Sequence, residues 1–367
     1  MQIAAISLYQ YDLPVKNGPY TMSYGKISSL DTTLVRLVTD DGTIGWGETC
    51  PLGPLYAEGH ANGARAAIAE MAPGLIGTEL LPLALHRKMD ALLNGHAYAK
   101  AALDVAVHDA LGKTLGLRVA ELLGGAVRDV IPSYYAIGIE TPDQAARIAK
   151  DKRDEGYRRL QLKVGAHPPA LDIEVITKVW EAISDSGMRL SIDANRGWTT
   201  RDAIQVSRAC AHIPLVIEQP CKTNDELHRL RPMLQHPLYL DETSYDLNTI
   251  IGAAGSGLAD GFGFKLTRLG GLQPMATARD ICAARHLPHT SDDAWGGDIL
   301  GAACAHLGST VRADLFEGTW LAAPYIDGHY CRDGGVRVEG GQITLPKGPG
   351  LGVFPDETLF GDPIDAW

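Results

Sequence analysis

Two lysines and three carboxylates, each closing a short apolar run, are the residues of this chain best placed to do chemistry. The runs are Gln161-Leu162-Lys163, Ser191-Ile192-Asp193, Val216-Ile217-Glu218, Tyr239-Leu240-Asp241 and Gly263-Phe264-Lys265. Asp292-Asp293 follows another run in the same way. Charges do not belong in the buried middle of a parallel strand. At its C-terminal end they can face a substrate. Asp193 and Glu218 stand 25 positions apart and Glu218 and Asp241 stand 23 apart, each step about one strand-plus-helix unit. One acid alone could equally be a helix N-cap or a loop ion pair. Three at the same register point to convergence, and converging carboxylates repel unless a cation lies between them. An all-oxygen set suits Mg2+, with Mn2+ as the other fit, rather than zinc.

A substrate carboxylate on such a cation is polarised for loss of its α-proton. Lys163 and Lys265 then read as two acid/base groups, one on each face of the α-carbon. One removes the proton to give an enediolate and the other returns it to the opposite face, inverting the centre. A lysine acts as a base only when partly neutral, and burial or a nearby cation lowers its pKa. The alternative for Lys163 is a plain salt bridge to an acid on the next strand.

These residues need a scaffold, and the chain supplies a regular beat. Strands are expected at Ile131–Gly138, Arg159–Val164, Arg189–Ala194, Leu215–Gln219, Leu238–Glu242, Gly261–Leu266, Leu287–Ser291 and Asp314–Glu317. Helices are expected between them, among them Pro142–Glu155, Leu171–Ser184, Arg201–Ala211, Asp225–Leu234 and Gln273–Arg285. Eight strands with about seven helices match an α/β fold of the modified (β/α)7β, TIM-like type; an open doubly wound sheet is the runner-up. In a ring of eight, the second strand (Lys163) and the sixth (Lys265) face each other. Before the beat, strands at Ile3–Tyr11, Thr32–Thr39 and Thr43–Glu48 surround an Asp41-Gly42 turn, and helical patterns follow at Gly59–Met71, Leu83–Leu93 and Tyr98–Leu115. This predicts an α+β capping domain over residues 1–125, the barrel over 126–325, and a segment 326–367, with a hairpin at Val336–Leu345, returning to the cap.

The chain has 367 residues, 45% of them apolar, with a formal net charge of −11. That is enough for a large core, and the acidic balance argues against nucleic acid or an anionic membrane as partner. No run of about 20 apolar residues could span a bilayer. The six cysteines form no C-x-x-C pair, and no basic leader opens the chain, so a cytoplasmic protein with reduced thiols is expected. Gly270-Gly271 and Gly296-Gly297 read as turns before helices rather than phosphate loops, and His212, His236, His286 and His289 as structural. A homo-oligomer is the expected assembly.

With Gln161-Leu162-Lys163, Asp193-Ala194-Asn195, Glu218-Gln219-Pro220, Asp241-Glu242 and Lys265-Leu266-Thr267-Arg268 in place, the whole chain resembles the enolase superfamily, in its muconate-lactonizing/mandelate-racemase-like group. Many relatives carry lysine where Gln161 stands; an amide there can hydrogen-bond a substrate carboxylate without adding charge. Within the group the chain is similar to the 4-hydroxyproline betaine 2-epimerases. The segments carrying this are Gly45–Pro51, Gly95–Lys100, Asp260–Gly263, Ser291–Asp298 and Glu317–Trp320. This resemblance implies a Mg2+-dependent epimerase inverting C2 of 4-hydroxyproline betaine or proline betaine, with Tyr56 and Trp320 against the quaternary ammonium. That cation has no N–H to donate, so aromatic faces are what can hold it. Asp292 or Asp293 could add negative charge, Asn195 is expected at the substrate with Gln161, and the loop Pro19–Tyr24 is expected to act as a lid. The alternatives are a cis-3-hydroxy-L-proline dehydratase or another amino-acid-derivative racemase of the superfamily, and, from a different class, a non-catalytic betaine-binding protein.

Overall fold

The first third of the chain wraps a helix pair and a long central helix onto a small antiparallel sheet. A computed structural model describes residues 1–23, 25–293, 295–331 and 335–367. In chain order the cap contains β1 (Ile3–Pro14), β2 (Tyr20–Met22), β3 (Gly25–Ile27), β4 (Ser29–Thr39), β5 (Ile44–Thr49), α1 (Ala61–Leu75), α2 (Pro82–Leu92), α3 (Ala97–Leu115) and the short α4 (Val119–Leu122). β1, β4 and β5 form an antiparallel sheet. β2 and β3 make a separate hairpin over the stretch expected to act as a lid; of that stretch, Tyr24 lies outside the described residues.

α3 runs between this sheet and the rest of the molecule, buried on nearly every side. Gly45 and Gly47, two apart on β5 and so on one face of it, make its close approach workable. A Cβ on Gly47 would lie 1.9 Å from the Ala102 carbonyl oxygen, and one on Gly45 2.1 Å from that of Ala106.

The barrel follows. Its elements are β6 (Val130–Pro132), β7 (Tyr135–Ile137), α5 (Pro142–Asp154), β8 (Arg159–Lys163), α6 (Pro169–Ile183), β9 (Arg189–Asp193), α7 (Thr200–Ala209), β10 (Leu215–Glu218), α8 (Asn224–Leu230), β11 (Leu238–Leu240), α9 (Leu247–Ser256), β12 (Gly261–Phe262), α10 (Leu266–Leu269), α11 (Leu272–Arg285) and α12 (Asp298–Ser309). β7 to β12 form one parallel six-stranded sheet in chain order. The two last expected strands narrow to isolated parallel bridges, Phe262 with His289, Lys265 with Asp292, and His289 with Phe316. The ring closes through Ser133 and Thr319, with Thr319 N–H donating to the Pro132 carbonyl at 3.0 Å. The barrel expectation therefore holds, and the open sheet does not. The first expected strand is split: Pro132 has no N–H for a central ladder, and β6 turns instead to the C-terminal hairpin.

That hairpin, β13 (Val338–Glu339) and β14 (Gln342–Thr344), forms where expected but pairs with β6 at the barrel's start. The chain end does reach the cap: β15 (Asp365–Ala366) pairs with β1. Buried carboxylates of the cap also begin two barrel helices. Asp104 of α3 accepts from Leu272 N–H at 2.5 Å at the start of α11. Glu48 of β5 accepts from Gly297 and Leu300 N–H at 2.8 and 3.0 Å at the start of α12. The N-cap residues there are Gly271 and Gly297, with no side chain to cap the helix themselves. A Cβ on Gly271 would fall 2.4 Å from the Asp104 carboxylate. A Cβ on Gly297 would instead fall 2.5 Å from the Tyr330 ring.

All six cysteines are free and buried. Among the described residues no helix is long and apolar enough to cross a membrane.

Candidate active site

The strand register brings the sequence candidates to one level. Lys163 is the parallel partner of Asp193, and Asp193 of Glu218. Just past these strands the backbone turns through left-handed conformations at Asn195 (φ 44°) and Gln219 (φ 36°), unusual for non-glycine residues. Local hydrogen bonds hold them. Asn195 N–H donates to Asp193 Oδ1 at 2.8 Å, and Gln219 Oε1 accepts from Asp241 N–H at 2.9 Å and Thr243 N–H at 3.2 Å. Gln219 thus stitches the end of β10 to that of β11, a role the sequence does not reveal.

Asp193, Glu218 and Asp241 are all buried, and one oxygen from each lies within 4.8 Å of the others. The crowding is electrostatic as well as geometric: burial, then the Asp193 and Asp241 charges, push the Glu218 carboxyl up to about 7. Glu242 beside them is pushed up to about 8 by burial and the same two acids. Three convergent hard oxygen donors under mutual repulsion fit a divalent cation of the Mg2+ type. Cations and donors of the chain meet the set from outside. Gln161 Nε2 donates to Glu218 Oε2 at 2.7 Å, Arg268 lies 2.6 Å from Asp241 Oδ1, and the Tyr56 hydroxyl donates to Asp241 Oδ2 at 3.2 Å. Arg268 was not singled out from sequence, although it closes the Lys265-Leu266-Thr267-Arg268 motif.

Lys163 Nζ donates to Asp193 Oδ2 at 2.5 Å, and Lys265 Nζ to Asp292 Oδ2 at 3.1 Å. Burial alone would lower both ammonium pKa values, but the carboxylates outweigh it and hold them above the ordinary lysine value. The expectation that burial leaves a lysine partly neutral is therefore reversed in this arrangement, because each amine sits against an anion.

Both lysines line one pocket of about 400 Å³, together with Gln161, Asn195, Asp241 and Asp293. The rest of its wall is apolar and aromatic: Tyr20 and Met22 from the β2–β3 hairpin, Leu52 and Tyr56 from the loop after β5, and Tyr134, Trp295 and Trp320. Trp295 and Trp320 meet edge to face at 5.3 Å, and Tyr20 meets Trp295 at 5.4 Å. Trp295 and Tyr134 escape sequence reasoning, since an aromatic beside a strand reads equally as core. Asp293 lines the pocket while accepting from Thr267 N–H and Oγ1 at 2.9 and 2.8 Å. Asp292 does not line it. Its Oδ1 takes the Trp320 N–H at 2.6 Å and its Oδ2 takes Tyr134 and Lys265, so its carboxylate is engaged by the lysine. Asn195 Nδ2 donates to Asp193 and Glu242, leaving its buried Oδ1 without a hydrogen-bond partner among the described residues.

A capped barrel with a carboxylate triad and two lysines in one pocket defines a class. Residues 5–124 match the N-terminal domain of mandelate racemase / muconate lactonizing enzyme, and residues 144–359 match the enolase C-terminal domain-like family. The chain belongs to the mandelate racemase/muconate lactonizing enzyme family of the enolase superfamily. Among its relatives, a cis-3-hydroxy-L-proline dehydratase of Roseibium aggregatum is 37% identical, with 99% of each chain covered. An N-succinylamino acid racemase of Amycolatopsis is 31% identical, covering 100% of this chain and 98% of the relative. A mandelate racemase/muconate lactonizing enzyme from Roseovarius nubinhibens superposes with a TM-score of 0.93 at 33% identity, covering 100% and 98% of the two chains. A superfamily member from the same organism, in complex with magnesium, superposes at 0.92 and 34% identity, covering 100% and 99%. Racemases and epimerases of amino-acid derivatives are thus among this enzyme's relatives.

Proposed function

We propose that this enzyme inverts C2 of an N,N-dimethylated proline, proline betaine or its 4-hydroxy form, by proton transfer between Lys163 and Lys265. The observation that carries the reading is one pocket lined by both lysines, by Asp241 of the carboxylate triad and by an aromatic wall. Asp193, Glu218 and Asp241 would hold Mg2+. When bound, the ion would stabilise the negative charge developing on the substrate carboxylate and weaken the hold of Asp193 and Asp241 on the lysine protons. One amine takes the α-proton; the opposite ammonium delivers its own to the other face, leaving the net proton count unchanged. Trp320, Trp295 and Tyr56 line the pocket and would hold, through their ring faces, a cation that has no N–H, while Asp293 would add negative charge at the wall. The aromatic lining also excludes water from the carbanion.

A second reading is dehydration of a cis-3-hydroxyproline, favoured by the 37% identical dehydratase. Here one lysine removes the α-proton and a neighbouring ammonium protonates the departing hydroxyl. Incubation of both substrates with Mg2+ in D2O, followed by NMR and polarimetry, separates them. Deuterium at C2 with inversion and the hydroxyl retained supports epimerisation. Loss of the hydroxyl from cis-3-hydroxyproline, with the betaines left untouched, replaces that reading by dehydration. Exchange with no substrate on the panel removes both.

A further inference from the structure

The two lysines are held in different ways. Lys163 is paired with Asp193, one of the three carboxylates proposed for the metal. Lys265 has a partner outside that set. Its shorter contact is Asp292 at 3.1 Å, and Asp241 lies at 3.8 Å. The backbones of Lys265 and Asp292 are also bridged in parallel, with Leu266 N–H donating to the Asp292 carbonyl at 2.8 Å.

Asp292 is fully buried, and its carboxylate is fixed from both ends. Trp320 N–H holds Oδ1 at 2.6 Å and the Tyr134 hydroxyl holds Oδ2 at 2.8 Å. Tyr134 is fixed in turn. Its ring backs onto the Arg159 guanidinium at 4.3 Å, and Arg159 Nη1 donates to the Glu317 carbonyl at 2.9 Å. A lysine ammonium sits on a flexible four-carbon stem and needs a rigid partner to be aimed.

We infer that Tyr134 and Asp292 are positioning residues dedicated to Lys265, aiming that one base through a carboxylate outside the metal set. The inference rests on the two-lysine reading above and adds an asymmetry to it: each face of the α-carbon has its own supporting structure. Weakening the Tyr134–Asp292 contact should therefore impair the chemistry on one face only, whereas a general structural defect would impair both.

The test is α-proton exchange of each substrate enantiomer in D2O for the wild type, Lys265→Ala, Lys163→Ala and Tyr134→Phe. Lys265→Ala identifies the enantiomer that Lys265 serves. Tyr134→Phe is expected to slow exchange of that enantiomer by about 10–100-fold, the range for loss of a partner that orients a functional side chain, and the other enantiomer less than about threefold. Equal loss for both enantiomers, or no loss for either, overturns the inference. If the wild type exchanges neither enantiomer, it is the proposed reaction that fails. Competitive amine labelling with acetic anhydride then decides the hold itself, whatever the reaction. Lys265 should label several-fold faster in Tyr134→Phe with Lys163 unchanged, and unchanged labelling of Lys265 overturns the inference. Asp292→Asn, which keeps the shape and removes the charge, should reproduce both results in direction.

Discussion

At the scale of single residues, the assignment rests on which groups share a cavity and which way they point. Lys163→Ala and Lys265→Ala should each cut inversion by about 10²–10⁴-fold, the usual worth of a positioned acid or base. Each variant should still exchange the α-proton of one enantiomer. Normal inversion by either, measured by polarimetry, would rule out the two-base scheme. Trp320→Leu should raise the Michaelis constant for an N,N-dimethylated proline about tenfold, as expected for losing a desolvated cation–π contact. It should change the constant for proline itself far less, and a uniform change would assign Trp320 to packing alone. The lysines and triad were legible in the sequence because strand ends mark them. What Asp292 does was not: its position at a strand end was correct, but spacing gives no direction, and Tyr134 and Trp320 turn it towards Lys265.

At the scale of elements, glycines and carboxylates decide how tightly the parts approach. Gly47→Ala places a Cβ against backbone of α3, which cannot yield as a side-chain tip would. A loss of about 3 kcal/mol in unfolding free energy is expected, at the upper end for overpacking, measured by urea denaturation; no change would mean α3 can shift. The strands of the sheet from β8 to β10 were readable almost to the residue, since apolar runs with charged ends and capped helices bracket them. The seventh and eighth barrel positions were readable only as locations. Around His289 and Phe316 pairing thins to isolated bridges, because the chain there is held by neighbours on both sides rather than by a long run of its own. How these two helices begin was hidden for a different reason: the carboxylates that accept from their first amides, Asp104 and Glu48, lie in a distant part of the chain.

At the scale of the whole molecule, stability should depend on pH and on metal. His306 is buried with Nδ1 accepting from Ala120 N–H at 3.3 Å and Nε2 facing the Leu351 carbonyl at 3.0 Å, and burial pulls its pKa down to about 4. The unfolded chain takes a proton near pH 6.5, before the folded protein does. The stability from this neutral ring is therefore fully present above about pH 6.5 and is lost as pH falls towards 4, by about 3 kcal/mol at full protonation of the unfolded state. His306→Gln, which can both donate and accept at the same place, should flatten the fall in denaturation midpoint between pH 7 and pH 5. An unchanged slope would assign acid sensitivity elsewhere. Mg2+ at about 100 times its Kd should stabilise the fold by about 2.7 kcal/mol. Excess chelator should reverse the shift in melting temperature, and Glu218→Gln should blunt it.

The two cap carboxylates that begin barrel helices also bear on how this architecture can be taken apart. Severed from residues 1–125, the barrel would begin α11 and α12 on bare glycine amides, with no acceptor for Leu272, Gln273, Gly297 or Leu300. The cap would keep Asp104 and Glu48 as buried anions without those donors. The two parts are thus not interchangeable modules. A chimera joining the cap of one relative to the barrel of another would have to transplant each carboxylate with the helix start it caps, or inherit two frayed helices beside the mouth where Lys265 and Trp295 stand.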